Sequence, residues 1–259
     1  MKIIAAHLLE PRQFIVLERG QRQVQMSLAA ALDMPAPSQR PWTIALVGSG
    51  GKSTALQTLA DEGIAEGRRV LLSTTTRMWL PADERSRVQT VYDAVSVWSA
   101  GRPAWAGQPA EPGKMAGVSS EILRNIASQA DLVLVEADGS RGLPCKVPAL
   151  HEPVIPSWSD QIVVVAGLSA VGQPIAAVAH RPELVCKMLN TERQHVLTTK
   201  DLAILIALGY LKPLQQAGYR EIAVLLNQAD HPEQLSAAAD LASQIQTIID
   251  ESNPSGGRT

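Results

Sequence analysis

Continuous runs of apolar residues, rather than alternating ones, mark the predicted strands of this chain. Such runs are typical of strands that are buried on both faces of a parallel sheet. Five are found, at residues 43–47, 70–76, 132–135, 162–165 and 222–226. Apolar residues at helical spacing predict helices at 53–66, 202–211 and 235–249. This succession of strands and helices predicts an α/β fold with three layers and a mostly parallel sheet.

The segments outside these elements suggest the domain organisation. Residues 1–41 are predicted to form a lead-in with a short strand at 15–17 and a helix at 25–32, ending in a proline-rich linker. Residues 42–251 are predicted to form one α/β domain, and residues 252–259 a disordered tail. Residues 83–117 have no clean period, which predicts an inserted loop with a short strand at 103–107.

Composition and charge exclude several classes of protein. The chain has 259 residues, of which 46% are hydrophobic and 19% charged, so it has enough apolar residues for a sizeable core and is not intrinsically disordered. A net charge of −2 argues against a nucleic-acid partner. Two cysteines cannot make a disulfide framework. Neither a signal peptide nor a membrane span is recognisable, so we predict a cytoplasmic protein with no membrane partner.

The first apolar strand ends in a glycine-rich segment that leads into a helix. Glycines allow successive backbone N–H groups to turn toward phosphate oxygens, and the helix N-terminus adds its dipole. The lysine is predicted to reach the β- and γ-phosphates of ATP or GTP, and the serine hydroxyl to bind Mg²⁺. This motif predicts a P-loop NTPase-like fold, and its short glycine-to-lysine spacing resembles that of Mur-type ligases. The predicted phosphate-binding residues are Gly48, Ser49, Gly50, Gly51, Lys52, Ser53 and Thr54.

A second apolar strand ends in two carboxylates. Glu136 and Asp138 are two residues apart, so they share one face if the strand continues. A phosphate-binding site of this kind needs an acidic residue that holds Mg²⁺ or orients the attacking group. We therefore predict that Lys52, Glu136 and Asp138 are catalytic, and that Ser53, Glu136 and Asp138 bind the metal.

The last apolar strand ends in a segment that resembles the base-recognition motif of GTPases. In that motif an aspartate accepts the guanine N–H groups and an asparagine braces the phosphate loop. Asn227 and Asp230 occupy these positions, which predicts that both contribute to nucleotide binding. Gln228 replaces the usual lysine, so the choice between ATP and GTP stays open.

Two further clusters suit an anionic substrate. One follows the second strand and contains hydroxyls and a guanidinium, and the other lies in the loops after the acidic strand. The predicted substrate-binding residues are Thr75, Thr76, Arg77, Arg141, Lys146, His151, Glu152, His180 and Arg181. Cys145 lies among them, and the sequence leaves open whether it binds a soft element such as selenium or molybdenum or is a small buried hydrophobe.

Together these motifs resemble the YqeC-type family of selenium-dependent hydroxylase accessory proteins over roughly residues 42–230. The resemblance is carried by the glycine-rich segment, by Glu136-Ala137-Asp138-Gly139, and by the motifs around His151, His180 and Asn227. It implies a nucleotide-binding protein that assists the maturation of selenium-dependent molybdenum hydroxylases. It also implies that the hydroxylase or its cofactor is a partner.

Three functions remain as alternatives at this point. The first is a Mg²⁺-dependent NTPase or NTP-using transferase in this maturation. The second is a nucleotide-gated module that delivers a cofactor with little turnover of its own. The third, suggested by the loop spacing, is a Mur-like ligase or a small-molecule kinase.

Overall fold

The computed structural model describes residues 1–7, 12–18 and 21–252, which contain both strands and helices. The strands are β1 Lys2–His7, β2 Gln13–Glu18, β3 Gln21–Gln25, β4 Trp42–Gly48, β5 Val70–Thr74, β6 Arg77–Trp79, β7 Arg87–Val88, β8 Ala104–Ala106, β9 Gln108–Pro109, β10 Lys114–Ala116, β11 Leu132–Glu136, β12 Cys145–Lys146, β13 Gln161–Gly167, β14 Ala179–His180 and β15 Ile222–Asn227.

The α-helices are α1 Leu28–Ala31, α2 Lys52–Ala65, α3 Val91–Ser99, α4 Ser120–Ala127, α5 Ile175–Val178, α6 Pro182–Leu189, α7 Thr199–Ile206, α8 Lys212–Gln216 and α9 Pro232–Ser252. A π-helical turn, Ala207–Leu211, joins α7 to α8, and short 3₁₀ turns lie at Glu84–Ser86 and Leu168–Ala170. No helix within the described ranges combines the length and the apolar character that crossing a bilayer requires.

Within the described residues, ten strands form the central sheet in the order β3-β2-β1-β15-β13-β4-β11-β5-β8-β7. All neighbours pair in parallel except β1 with β2 and β2 with β3. The prediction of an α/β fold with a mostly parallel sheet is therefore confirmed. From β4 the chain moves to β5 on one side, returns to β11, and then crosses to β13 on the other side. The carboxyl end of β4 thus lies where the winding direction reverses, which is where open α/β sheets bind ligands.

Helices cover both faces of the sheet. On one face, α7, α8 and α9 pack on β13 and β15, while α3 and α4 pack on β11 and β8. On the other face, α1 and α2 pack on β4, β5 and β11. Successive side chains of the parallel strands point alternately to these two helical layers, so both faces of each strand are buried. This explains why the strands read as continuous apolar runs.

The N-terminal segment is more than a lead-in, because it contributes strands to the same sheet. β1 pairs in parallel with β15, and β2 and β3 extend the sheet beyond it. The strand expected at 15–17 lies within β2, whereas the helix expected at 25–32 is only the four residues of α1. The carboxylate of Glu62 on α2 accepts hydrogen bonds from the Leu28 and Ala29 N–H groups, at 2.9 and 2.8 Å. The segment 1–41 is thereby joined to the domain at 42–251.

Residues 83–117, expected as an inserted loop, contain several short elements. The strand expected at 103–107 is β8, which pairs with β5 and β7 in the main sheet. β10 pairs with β6 on one side and with β9 on the other in a separate three-stranded sheet. Within the tail predicted at 252–259, residue 252 ends α9, and residues 253–259 lie outside the described residues.

We predict that the N-terminal strands are part of the cooperative core. Ile4 on β1 has no solvent exposure, so Ile4→Ala is expected to lower the free energy of unfolding by about 2–5 kcal/mol. Val24 on β3 is 51% exposed, so Val24→Ala serves as the matched control and should change it by less than about 0.5 kcal/mol. Urea unfolding measures the free energy of unfolding of both variants. If both variants change it by the same small amount, β1 is not part of the cooperative core.

Candidate functional site

The glycine-rich loop, residues 48–51, follows β4 and is pressed against the ends of the neighbouring strands. All three of its glycines have positive φ angles. A Cβ on Gly48 would lie 2.2 Å from the Val165 carbonyl oxygen of β13, and one on Gly50 would lie 2.4 Å from the Gly167 nitrogen. A Cβ on Gly51 would lie 1.7 Å from the Asn227 amide nitrogen. Backbone conformation and packing therefore both require glycine at these positions.

Asn227 braces this loop from the end of β15. Its side-chain amide donates a hydrogen bond to the Gly50 carbonyl oxygen at 3.0 Å. On the other side of the loop, the Ser49 N–H donates to the Val165 carbonyl oxygen at 2.8 Å, and the Ser49 hydroxyl donates to the Pro144 carbonyl oxygen at 3.0 Å. The loop is thus fixed at both ends by contacts to neighbouring elements.

Consecutive backbone N–H groups of residues 50–53 have no hydrogen-bond acceptor among the residues that the structure describes. They lie at the junction of the loop with α2, where the first N–H groups of a helix have no intrahelical partner. Gly51 precedes the helix and offers no side-chain cap. Such a row of free N–H groups at a helix N-terminus favours an anion.

Glu136 ends β11, which lies directly beside β4. The Ser53 hydroxyl, on the first turn of α2, donates a hydrogen bond of 3.4 Å to the Glu136 carboxylate. Burial raises the pKa of Glu136, and the nearby Lys52 ammonium partly opposes the shift. Glu136 and Ser53 therefore place a carboxylate and a hydroxyl oxygen together beside the free N–H groups.

Asp138 has no solvent exposure and is surrounded by donors. The Gly48 N–H lies 3.0 and 3.1 Å from its two oxygens, and the ammonium groups of Lys52 and Lys146 lie at 3.2 and 3.1 Å. The Tyr210 hydroxyl donates to it at 3.3 Å, and burial together with this carboxylate raises the pKa of Tyr210. These contacts occupy both carboxylate oxygens.

The charges continue outward from Asp138 in alternation. Lys146 contacts the Glu152 carboxylate at 2.9 Å, and the Arg181 guanidinium binds the same carboxylate at 2.6 and 3.2 Å. Burial opposes ionisation of Glu152, but the hydrogen bonds from Arg181 and Lys146 outweigh it and hold its pKa at about 2. We call the alternating series Lys52, Asp138, Lys146, Glu152 and Arg181 the charge chain.

A cleft of about 1420 Å³ opens above the loop. It is lined by most of the predicted ligand-binding residues, which are residues 50–54, Glu136, Thr76, Arg77, Arg141, His151, Glu152, His180 and Arg181, whereas Gly48 and Ser49 do not line it. Asp138, Lys146 and Thr75 do not line it, and the Thr75 hydroxyl donates to the Val154 carbonyl oxygen at 2.8 Å. At the end of β15, Gln228 lines the cleft. Asp230 does not line it, and the Asp230 N–H donates to the Gln234 side chain at the start of α9.

Two residues of this region received no role from the sequence. Tyr210 lies in the π-helical turn, within the helix predicted at 202–211, and a buried tyrosine needs a partner for its hydroxyl. Trp79 lies on β6, is 67% exposed and lines the cleft. Its signal in the sequence is a large aromatic residue two positions after Arg77.

Cys145 is almost fully buried and packs in an apolar cluster with Val147 and Ala179. Burial raises the pKa of its thiol to about 12, so the thiol is protonated at neutral pH. Within the described ranges, no group of three or more His, Cys, Asp or Glu side chains is arranged to hold a metal ion. In this structure Cys145 is therefore a small core residue.

Comparisons with known proteins give one family. The family model described as YqeC protein matches residues 44–183, which include the loop, the end of β11 and the charge chain. A protein of Escherichia coli (strain K12), named "Uncharacterized protein YqeC", is 32% identical over 185 residues, which are 69% of this chain and 72% of that protein. No solved structure matches.

We predict that Asp138 is required for stability because it neutralises two buried cations. Asp138→Asn should lower the free energy of unfolding by about 3–5 kcal/mol, since among the described residues it leaves the buried Lys52 without an ion-pair partner and Lys146 with Glu152 alone. The double variant Asp138→Asn/Lys146→Met should recover part of this loss. Asp61→Asn, on the exposed side of α2, is the matched control and should be nearly neutral. A nearly neutral Asp138→Asn would contradict the assignment.

We also predict a pH dependence for Glu152. Its pKa is lowered from the ordinary value of 4.5 to about 2, so ionised Glu152 stabilises the folded state above pH 4.5. That contribution is lost as the pH falls from 4.5 toward 2. Glu152→Gln should therefore be less stable than the wild type by about 2 kcal/mol at pH 7, and the difference should shrink below pH 4.5. A difference that is independent of pH between 7 and 3 would refute this.

Proposed function

The chain belongs to the YqeC family, and we propose that it is a Mg²⁺-dependent nucleotide-binding protein that acts as an NTPase or an NTP-using transferase. One observation carries the proposal. The free N–H groups of residues 50–53 lie at the N-terminus of α2 beside Lys52, in a loop whose glycines cannot be replaced. This combination of oriented N–H groups, helix dipole and ammonium is suited to a polyphosphate.

The proposed binding mode follows from these groups. The N–H groups of residues 50–53 donate to phosphate oxygens, and the Lys52 ammonium neutralises their charge. The absence of side chains on the loop glycines allows the phosphates to approach the backbone closely. Asn227 keeps the loop in this shape through its bond to Gly50.

Ser53 and Glu136 fit a Mg²⁺ ion. Magnesium is usually held by one or two protein oxygens together with substrate phosphates and water, so it needs no cluster of several carboxylates. The Ser53 hydroxyl and the Glu136 carboxylate supply two such oxygens next to the proposed phosphate site. Bound there, the ion would neutralise charge that develops on the phosphates during transfer.

Asp138, expected as a metal ligand, takes a different role in this proposal. Its oxygens already accept from Gly48, Lys52, Lys146 and Tyr210, which leaves little capacity for a metal. We assign it to positioning: it holds the Lys52 ammonium beside the loop and fixes the Gly48 N–H. Glu136 then remains as the carboxylate that faces the ligand.

The base of the nucleotide lies, in this proposal, toward the end of β15. Asn227 and Asp230 were expected there, and Gln228 is the side chain of this segment that lines the cleft. The side-chain amide oxygen Oε1 of Gln228 accepts from the Ser169 hydroxyl at 2.6 Å, which fixes the side chain across the end of β13. Both ATP and GTP are retained as candidate ligands, and a titration with each decides between them.

The cellular role is proposed from the family resemblance alone. It is the maturation of selenium-dependent molybdenum hydroxylases, with the hydroxylase or its cofactor as partner. Turnover of ATP and GTP, measured with and without hydroxylase apoprotein, tests this role. Stimulation by the apoprotein supports it, and it also distinguishes a nucleotide-gated module from an enzyme that turns over with a small substrate alone.

We predict that Ser53 carries the Mg²⁺ dependence of nucleotide binding. Ser53 is exposed, so Ser53→Ala should fold normally and should weaken binding of ATP or GTP about tenfold or more in Mg²⁺ while changing binding in EDTA little. Isothermal titration calorimetry measures both conditions. Gln57→Ala, one turn further along α2 and exposed, is the matched control. Equal binding by wild type and Ser53→Ala in Mg²⁺ would remove the metal site.

Lys52→Ala tests the phosphate site itself. We expect it to abolish measurable binding of both nucleotides, whereas Lys200→Ala, an exposed lysine on α7, should bind like the wild type. Because Lys52 also neutralises Asp138, folding of the variant is checked by circular dichroism, and Lys52→Met/Asp138→Asn is the second variant. Normal nucleotide binding by either folded variant would refute the proposed function.

A further inference from the structure

One wall of the cleft is built by the small sheet of β6, β10 and β9. β6 follows β5, which lies two strands from β4 on one side, whereas Asn227 ends β15, two strands from β4 on the other side. This wall therefore lies on the opposite side of the glycine-rich loop from the proposed base-binding segment. The cleft residues that it contributes are Arg77, Met78, Trp79, Glu111 and Lys114.

The alternation of side chains along β6 directs Trp79 away from the core. Met78 and its cross-strand partner Met115 are both buried in the core. Because successive side chains point to opposite faces of a strand, Arg77 and Trp79 lie on the other face, and both are largely exposed. An indole and a guanidinium are thus presented together at the cleft.

The indole of Trp79 is supported although it is exposed. Its partner across the strands, Lys114, places its ammonium 5.5 Å from the ring centroid. The turn at Gly113 packs beside the ring, where an added Cβ would lie 3.7 Å from it, and the Gly113 carbonyl oxygen accepts from the Leu80 N–H. A supported aromatic ring with much of its surface open is suited to stacking.

The cleft favours an anion. Among the residues that the structure describes, five cationic side chains line it against three acidic ones. Arg77 and Lys114 are paired with Glu111, and Arg181 is paired with Glu152, but Arg141 has no ion-pair partner in the described part of the chain. Burial and the neighbouring Arg181 lower the pKa of His180, which is consistent with a site dominated by positive charge.

The cleft is larger than most small-molecule sites. Its volume of about 1420 Å³ lies above the range of roughly 300–1000 Å³ that is typical of small-molecule sites. We propose that the Trp79 side of the cleft binds a second ligand, an anion with a planar aromatic ring that stacks on Trp79 while its charge is neutralised by Arg141. This inference rests on the proposed function, in which a nucleotide occupies the loop.

The test uses flavin mononucleotide as the probe, because it combines a planar ring with a phosphate and its fluorescence is quenched by stacking on tryptophan. The full chain is first saturated with a non-hydrolysable ATP or GTP analogue and Mg²⁺, and the probe is then titrated. We expect it to bind, and to bind more tightly than riboflavin, which lacks the phosphate. Trp79→Ala should raise its Kd about tenfold or more, and Trp79→Phe should retain most of the affinity.

Tyr92→Ala is the control, because Tyr92 on α3 is 84% exposed and does not line the cleft. It should leave probe binding unchanged, and Trp79→Ala should leave analogue binding unchanged. The proposal is overturned if Trp79→Ala binds the probe like the wild type, if the analogue displaces the probe, or if the wild type binds the analogue but not the probe. The protein could also bind the probe through Trp79 and fail to bind the analogue. That result would support the second site and contradict only the proposed function.

Discussion

The carboxylate of Asp138 is held out of contact with solvent between the ammonium groups of Lys52 and Lys146. Burying three charges is costly unless each is paired and hydrogen-bonded, so the surrounding elements must supply partners. Gly48 supplies an N–H from the loop and Tyr210 a hydroxyl from the helical layer. This interaction therefore joins β4, the end of β11, β12 and the π-helical turn at one point beneath the cleft.

The charge chain also connects two parts of the cleft. At one end, Lys52 lies beside the N–H groups of the loop, and at the other, Arg181 and Glu152 reach the cleft wall. Each inner member is shared by two neighbours, so removal of one charge takes an ion-pair partner from the charges on both sides. The same set of ion pairs thus positions both the glycine-rich loop and the part of the cleft lined by Glu152 and Arg181.

Much of the central fold was predictable because parallel strands buried on both faces give continuous apolar runs. The runs at β4, β5, β11, β13 and β15 were all identified, as was α2 behind the loop. The strands β1 and β3 were missed for a physical reason. β1 is placed by pairing with β15, more than two hundred residues away, and β3 is a largely exposed strand of polar residues with little apolar signal. The two- and three-residue strands within 83–117 are too short to show a period.

The site was predictable to the extent that it is local in sequence. The loop, Ser53 and Glu136 lie at the ends of predicted strands, and parallel strand ends meet at one edge of a sheet. The partners of Asp138 were not predictable, because Lys146 and Tyr210 reach it through loops and a helix whose path no local pattern specifies. The same holds for Trp79, whose exposure depends on pairing with β10.

Phosphate binding by the loop is tested most directly by a crystal structure of the protein with a non-hydrolysable ATP or GTP analogue and Mg²⁺. We predict that the phosphates contact the N–H groups of residues 50–53 and the Lys52 ammonium, and that the metal contacts the Ser53 hydroxyl. A nucleotide bound elsewhere in the cleft, or phosphates that make no contact with the loop, would contradict the central claim.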